Sequence, residues 1–108
     1  MVENMELYYE GQIINNTPQG QGNLCSLNGK VICSGSWRDG MRNGFGSYFY
    51  PDGSEYRGEW INNMKSGQGT YYCKGYKYEG QWLQNMKHGK GKLEFKEGIT
   101  LNGLWQND

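Results

Sequence analysis

The sequence predicts an all-β protein made of consecutive β-hairpins. Composition gives the first indication, because the 108 residues include 18 Gly, nine Tyr, four Trp and three Phe but no Ala. So much Gly disfavours helix, whereas Gly-rich disordered segments are usually poor in aromatic residues. Gly and aromatic residues that recur together are typical of a repeated β unit in which Gly leaves space for neighbouring rings.

The second indication is an internal repeat of about 23 residues, the type of pattern that defines repeat proteins. Each unit places a Gly two residues before a Trp, with Ile13 at the first Trp position, and a Gly-x-Gly begins nine residues after that Gly in the first four units. The marker glycines are Gly11, Gly35, Gly58, Gly80 and Gly103. We expect a lead-in at 1–8, units at about 9–31, 32–54, 55–76 and 77–100, a half unit at 101–105 and a tail at 106–108.

Each unit predicts one hairpin, shown here by the third. Its first strand contains Tyr56–Trp60 and its second contains Gly67–Cys73. An Asn or Gly stands three residues after the Trp position, where a tight turn needs a left-handed backbone. In chain order these residues are Asn16, Gly40, Asn63 and Asn85. Turns between units are predicted at Asn28-Gly29, Pro51-Asp52-Gly53, Lys74-Gly75 and Glu97-Gly98, because Pro and Gly preset turn dihedrals.

Alternation of side chains along a strand separates the two faces of the predicted sheet. One face carries Tyr56, Gly58 and Trp60, and we expect it also to carry Gly67 and Gly69, so that rings lie over glycine backbone. We call this the ladder face. The other, which we call the opposite face, carries Phe45, Phe49, Arg57 and Tyr72, with Glu59 and Glu79 expected to be solvated.

This pattern resembles the MORN repeat (membrane occupation and recognition nexus). The resemblance rests on Arg57-Gly-Glu-Trp60, Met64-Lys-Ser-Gly-Gln-Gly69 and Tyr50-Pro-Asp-Gly53, and it covers residues 9–105. It implies an elongated, twisted, antiparallel single-layer sheet of consecutive hairpins. It also implies a role without catalysis, because catalysis in MORN-repeat enzymes lies in other domains and small repeat-only members are similar to adaptors or to cytoskeletal and ciliary components.

No motif predicts a catalytic, cofactor or metal site. His88 is the sole histidine and precedes Gly89 in a predicted turn, and Cys25, Cys33 and Cys73 lack both a neighbouring base and CxxC spacing, so we expect reduced thiols. The Gly-x-Gly pairs precede strand residues instead of the helix that a phosphate-binding loop requires. A formal net charge of zero argues against nucleic acid as a partner. We therefore expect a non-enzymatic protein with no cofactor and no small-molecule substrate.

Two partner surfaces remain open on the sequence alone. Phe45, Phe49, Arg57 and Tyr72 predict a protein-binding patch, because aromatic residues and Arg dominate interface energies. The alternative is a peripheral membrane tether that binds phosphoinositides. In this case the anionic lipid headgroups would contact four basic residues near the end of the repeats. Those residues are Lys87, His88, Lys90 and Lys92. The acidic N-terminus lacks a secretory signal, so we expect a cytoplasmic protein, and the resemblance implies a ciliary or other cytoskeletal assembly.

Overall fold

The strands of the molecule form one nine-stranded antiparallel sheet whose spatial order equals the order in the chain. The computed structural model describes residues 6–106 and contains no helix within them. The strands are β1 (Leu7–Ile14), β2 (Thr17–Ser26), β3 (Val31–Arg38), β4 (Met41–Phe49), β5 (Glu55–Ile61), β6 (Met64–Tyr72), β7 (Tyr76–Leu83), β8 (Met86–Phe95) and β9 (Thr100–Trp105). The predicted all-β sheet of consecutive hairpins is confirmed.

The sheet is a single elongated layer. Its extents are 46 × 27 × 25 Å, and nine strands at ~4.8 Å spacing account for most of the longest dimension. Each strand packs extensively only against its neighbours in sequence, so β1 and β9 are the two edges of the described sheet. One of the other two extents corresponds to the length of the strands, and the other exceeds the thickness of one flat layer because the sheet twists.

Two-residue turns with a left-handed backbone close the hairpins. In the third unit Ile61 pairs with Met64, and the two residues between them, Asn62 and Asn63, have φ values of 47° and 70°. Positive φ at both central positions defines the type I′ turn, whose twist matches that of the flanking strands. The predicted turn residues Asn16, Gly40, Asn63 and Asn85 all adopt positive φ.

A row of glycines crosses the sheet, one on each strand. Consecutive members are paired in register, so backbone meets backbone at eight successive pairings. The row is Gly11, Gly22, Gly35, Gly46, Gly58, Gly69, Gly80, Gly91 and Gly103. A Cβ on Gly58 would lie 2.4 Å from the Cα of Gly69, which is closer than real Cβ contacts come. An alanine at Gly58 would therefore force the two backbones apart.

The buried rings lie beside this row on the ladder face. A Cβ on Gly69 would be 2.2 Å from the Tyr56 hydroxyl, which donates to the Glu59 carbonyl at 2.9 Å. Trp60 extends toward the preceding unit and donates its indole N–H to the Gly46 carbonyl at 3.0 Å. Tyr56 and Trp60 are 0% and 4% exposed. As expected, the rings lie over glycine backbone, with Tyr56 against Gly69 of its own unit and Trp60 against Gly46 of the preceding unit.

The first glycine of each Gly-x-Gly does not follow the simple alternation that we expected. The register shifts between Gly58 and Trp60, Gly67 has a φ of 92°, and a Cβ there would point at the Glu59 carboxylate on the opposite face. Glu59 Oε2 accepts the Gln68 amide at 2.9 Å. Glu59 is exposed, as expected, and its carboxylate has a further role because it satisfies a backbone donor that the bulge frees.

Asparagines of the hairpin turns bind each unit to the one before it. Asn85 donates its backbone N–H to the Lys65 carbonyl at 3.0 Å, and its Oδ1 accepts the Lys65 N–H at 2.8 Å. Asn63 makes the same two bonds with Arg42. We call this pair of bonds the turn clasp. Between the first and second units Gly40 takes the place of the Asn and faces Pro18. Gly40 has no side chain to accept a hydrogen bond, and Pro18 has no backbone N–H to donate one.

The clasp predicts that Asn85→Gly lowers the free energy of unfolding by about 1 kcal/mol, the usual worth of a lost hydrogen bond. Gly keeps the left-handed turn and the backbone N–H but leaves the Lys65 amide without its acceptor. Urea denaturation measures the change. Asn16→Gly is the matched control, because Asn16 occupies the same turn position with a φ of 62°, next to β1 at the edge of the described sheet. Equal losses in the two variants would contradict the clasp.

Candidate functional site: two interaction faces

Three of the four residues predicted to bind a partner lie together on the opposite face. Phe49 pairs with Glu55, and Glu55 pairs with Tyr72, so these side chains form one row across β4, β5 and β6. Arg57 lies on the same face of β5, with its guanidinium 5.9 Å from the centre of the Tyr72 ring. Arg57 also forms an ion pair with Glu55. We call Phe49, Glu55, Arg57 and Tyr72 the aromatic patch.

Phe45 lies on the same face but at a distance from that row. It pairs with Glu59, four residues before Phe49 on β4, which places it about 13 Å along the strand. Its side chain is 65% exposed, compared with 40% for Tyr72. The predicted set is therefore a compact patch with one separate exposed ring.

The four basic residues proposed to meet a phosphoinositide do not share one face. Lys87 pairs with Trp82 on the ladder face, and its ammonium lies 5.5 Å from the Tyr78 ring centre. Lys92 pairs with Glu79 on the opposite face. Lys90 precedes it by two residues, and its backbone N–H donates to Gln81 at 2.8 Å. A planar membrane surface meeting one face would not meet Lys87 and Lys92 together.

His88 occupies a position that contacts the following turn in the earlier units. Its counterparts are Asn43, which accepts from the Asn62 backbone at 3.2 Å, and Ser66, which accepts from the Gln84 backbone at 3.4 Å. The residue equivalent to Asn62 and Gln84 after β9 is Asn107, which lies outside the described residues. The expected turn residue is thus an exposed strand residue of β8 at a unit-to-unit position.

Sequence reasoning missed a row of cations above the rings of the ladder face. Arg42, Lys65 and Lys87 hold equivalent positions near the start of β4, β6 and β8. The Arg42 guanidinium lies 4.4 Å from the Trp60 ring centre, and the Lys65 ammonium lies 5.1 Å from that of Trp82. The signal was present in the sequence, since each cation follows a Met directly after the turn.

Charge is divided unequally between the two faces. The strand carboxylates all lie on the opposite face, as the register shows. These are Glu10, Glu55, Glu59, Glu79 and Glu94. Both ion pairs of residues 6–106, Arg57–Glu55 and Lys77–Glu94, are also there. The strands therefore present cations without carboxylates on the ladder face.

Burial lowers the pKa of Lys65, and the nearby positive charge of Arg42 lowers it further. The Lys65 ammonium donates to the Tyr50 hydroxyl at 2.6 Å. Tyr50, Tyr71, Tyr76 and Trp82 line a shallow groove between Lys65 and Lys87. This groove combines partly buried cations with aromatic walls.

The described residues contain no group of three or more His, Cys, Asp or Glu side chains able to hold a metal ion. Cys25, Cys33 and Cys73 are free thiols, the first two buried. Residues 6–106 include no helix long and apolar enough to cross a membrane.

Comparison with known proteins identifies the repeat. The profile of the MORN repeat matches residues 9–30, 33–55, 56–76 and 78–100. MORN repeat-containing protein 3 of Xenopus laevis is 36% identical over 70 residues, which are 59% of this chain and 29% of that protein. Alsin is 37% identical over 73 residues in Rattus norvegicus, with 62% of this chain and 4% of alsin covered, and 36% identical over the same spans in Homo sapiens. The chain thus spans less than a third of the length of these curated relatives.

The electrostatics of the ladder face predict that Lys65 loses its proton at a lower pH than an exposed lysine does, because its pKa is lowered. The ¹³Cε resonance of Lys65 should titrate at lower pH in the folded protein than in the urea-unfolded chain, and Arg42→Gln should remove part of the difference. Because the unfolded chain then binds more protons between the two pKa values, the free energy of unfolding should rise with pH across that interval. NMR titration of ¹³C-lysine-labelled protein measures both midpoints. Identical midpoints would show that Lys65 is fully hydrated.

Proposed function

Because the chain belongs to the MORN-repeat family, whose repeats typically mediate protein or membrane interactions, we propose that it is a non-enzymatic adaptor that binds another protein. The aromatic patch on the opposite face is the observation that carries this proposal. A partner segment laid across β4, β5 and β6 would contact Phe49, Arg57 and Tyr72 together.

The patch has the properties of a binding surface and little packing role. The buried aromatic cluster lies on the ladder face around Tyr56, Trp60, Tyr78 and Trp82, whereas Tyr72 remains exposed. The guanidinium of Arg57 is held near the Tyr72 ring and beside the Glu55 carboxylate, which fixes one cation, one anion and two rings in a small area. Aromatic residues and Arg supply most of the energy at protein interfaces.

The phosphoinositide tether is less well supported. Lys87 and Lys92 lie on different faces, and the partner of Lys92 across β7 is the acidic Glu79. Each basic residue near a membrane contributes only ~1 kcal/mol, so binding needs several that face the same way. We place the adaptor in the cytoplasm, within a ciliary or other cytoskeletal assembly, on the strength of the family resemblance.

Partner capture from native lysate tests the adaptor. The double variant Phe49→Ser/Tyr72→Ser should reduce capture at least about tenfold, because the two rings would supply much of the interface energy. Quantitative mass spectrometry of the captured proteins measures the change, and circular dichroism checks that the β spectrum is retained.

Lys90→Ser/Lys92→Ser is the matched control, since it removes two side chains from the same face, one exposed and one half-buried. This variant should capture the partner normally. Two results together would support the membrane-tether hypothesis over the adaptor hypothesis. Only the lysine variant would lose its native location, and the wild-type protein would float with phosphoinositide vesicles. If the aromatic variant captures as well as wild type, the patch is not the binding surface.

A further inference from the structure

We propose that the ladder face carries a second binding site, in which the groove around Lys65 accepts an acidic segment of a protein partner with carboxylates about 10 Å apart. This site lies on the other side of the sheet from the aromatic patch. It goes beyond the adaptor proposal and does not depend on that patch.

Charge complementarity is the first argument for an acidic occupant. Arg42, Lys65 and Lys87 form no ion pair within residues 6–106, and the carboxylates on the strands all lie on the other face. Lys65 is partly buried, and its charge is opposed by the charge of Arg42. A bound carboxylate would relieve both costs, because an opposite charge within a few ångströms stabilises the ammonium.

The repeat geometry fixes the spacing of the ligand. Arg42, Lys65 and Lys87 stand on alternate strands, so two strand spacings of ~4.8 Å separate successive cations by about 10 Å along the sheet. A peptide in the polyproline II conformation has three residues per turn and advances ~3.1 Å per residue, so acidic residues at every third position would point to the same side about 9 Å apart and match the row.

The groove walls favour a peptide over a free anion. Tyr50, Tyr71, Tyr76 and Trp82 line the space between Lys65 and Lys87, and the first three are only half-buried. Residues between the carboxylates of a bound segment would pack on these rings. A phosphate group alone would leave the aromatic walls in water.

Display selection on the immobilised chain is the direct test, with a library of random 15-residue peptides as the probe. The selected pool should be enriched in Glu and Asp at three-residue spacing. Affinity of the selected consensus peptide should fall about tenfold or more in Arg42→Gln/Lys65→Gln, and it should weaken steeply with added salt.

Two further double variants test whether the loss of affinity is due to charge, and whether it is specific to the ladder face. Arg42→Lys/Lys65→Arg keeps both charges and should retain affinity within about threefold, whereas Lys90→Gln/Lys92→Gln changes only the opposite face and should bind normally. A selected pool without acidic enrichment, an empty pool, or equal binding by the glutamine variant would overturn the site.

The same experiment distinguishes this site from the adaptor surface. Selected peptides that bind Arg42→Gln/Lys65→Gln normally but are lost in Phe49→Ser/Tyr72→Ser would support the aromatic patch and overturn the ladder-face groove. Salt-sensitive binding only to phosphoinositide vesicles, with no peptide selected, would overturn it in favour of an anionic headgroup. If the aromatic patch captures no partner from lysate, the adaptor proposal fails, but the peptide selection on the ladder face is still a valid test of the groove.

Discussion

The close approach of neighbouring backbones along the glycine row is the constraint on which the rest of this structure depends. A single layer has no second sheet to cover its rings, so each buried ring must find its contacts within the sheet itself. Tyr56 and Tyr78 do so by lying against Gly69 and Gly91, with neighbouring Trp rings edge-on at 5.2 to 5.3 Å. This packing depends on neighbouring repeats, because each of these Tyr rings contacts a Trp of the adjacent unit.

Crowding on one face explains why the two faces have different chemistry. Once the rings fill the ladder face, the long stems of Arg42, Lys65 and Lys87 can cover them while their charged groups remain near water. The carboxylates of the strands lie on the other face, where Glu59 also satisfies a backbone amide. One layer thus presents an aromatic, cationic surface on one side and a mixed, mostly polar surface on the other.

The period, the hairpins, their turns and the identity of the buried face could be predicted, because each is encoded within about 23 consecutive residues. The bulge at Gly67 could not be predicted by alternation, since a register shift alters the direction of a side chain without any change in spacing. The turn clasp between Asn85 and Lys65 joins residues 20 apart, so an Asn chosen for its backbone conformation has a second role that its own unit does not reveal. Lys87 and Lys92 looked like one basic cluster because they are close in sequence, although their spacing of five residues already places them on different faces by alternation.

A double-mutant cycle between Gly69 and Tyr56 tests the glycine-row account most directly. Gly69→Ala should lower the free energy of unfolding by about 1–3 kcal/mol, because the new Cβ meets the Tyr56 ring. Tyr56→Cys introduces the residue type found at the equivalent position of the second unit, Cys33. In this background Gly69→Ala should lower the free energy of unfolding much less. The account predicts a coupling of about 1 kcal/mol or more in urea denaturation. Additive effects would mean that the ring above Gly69 does not determine the need for glycine.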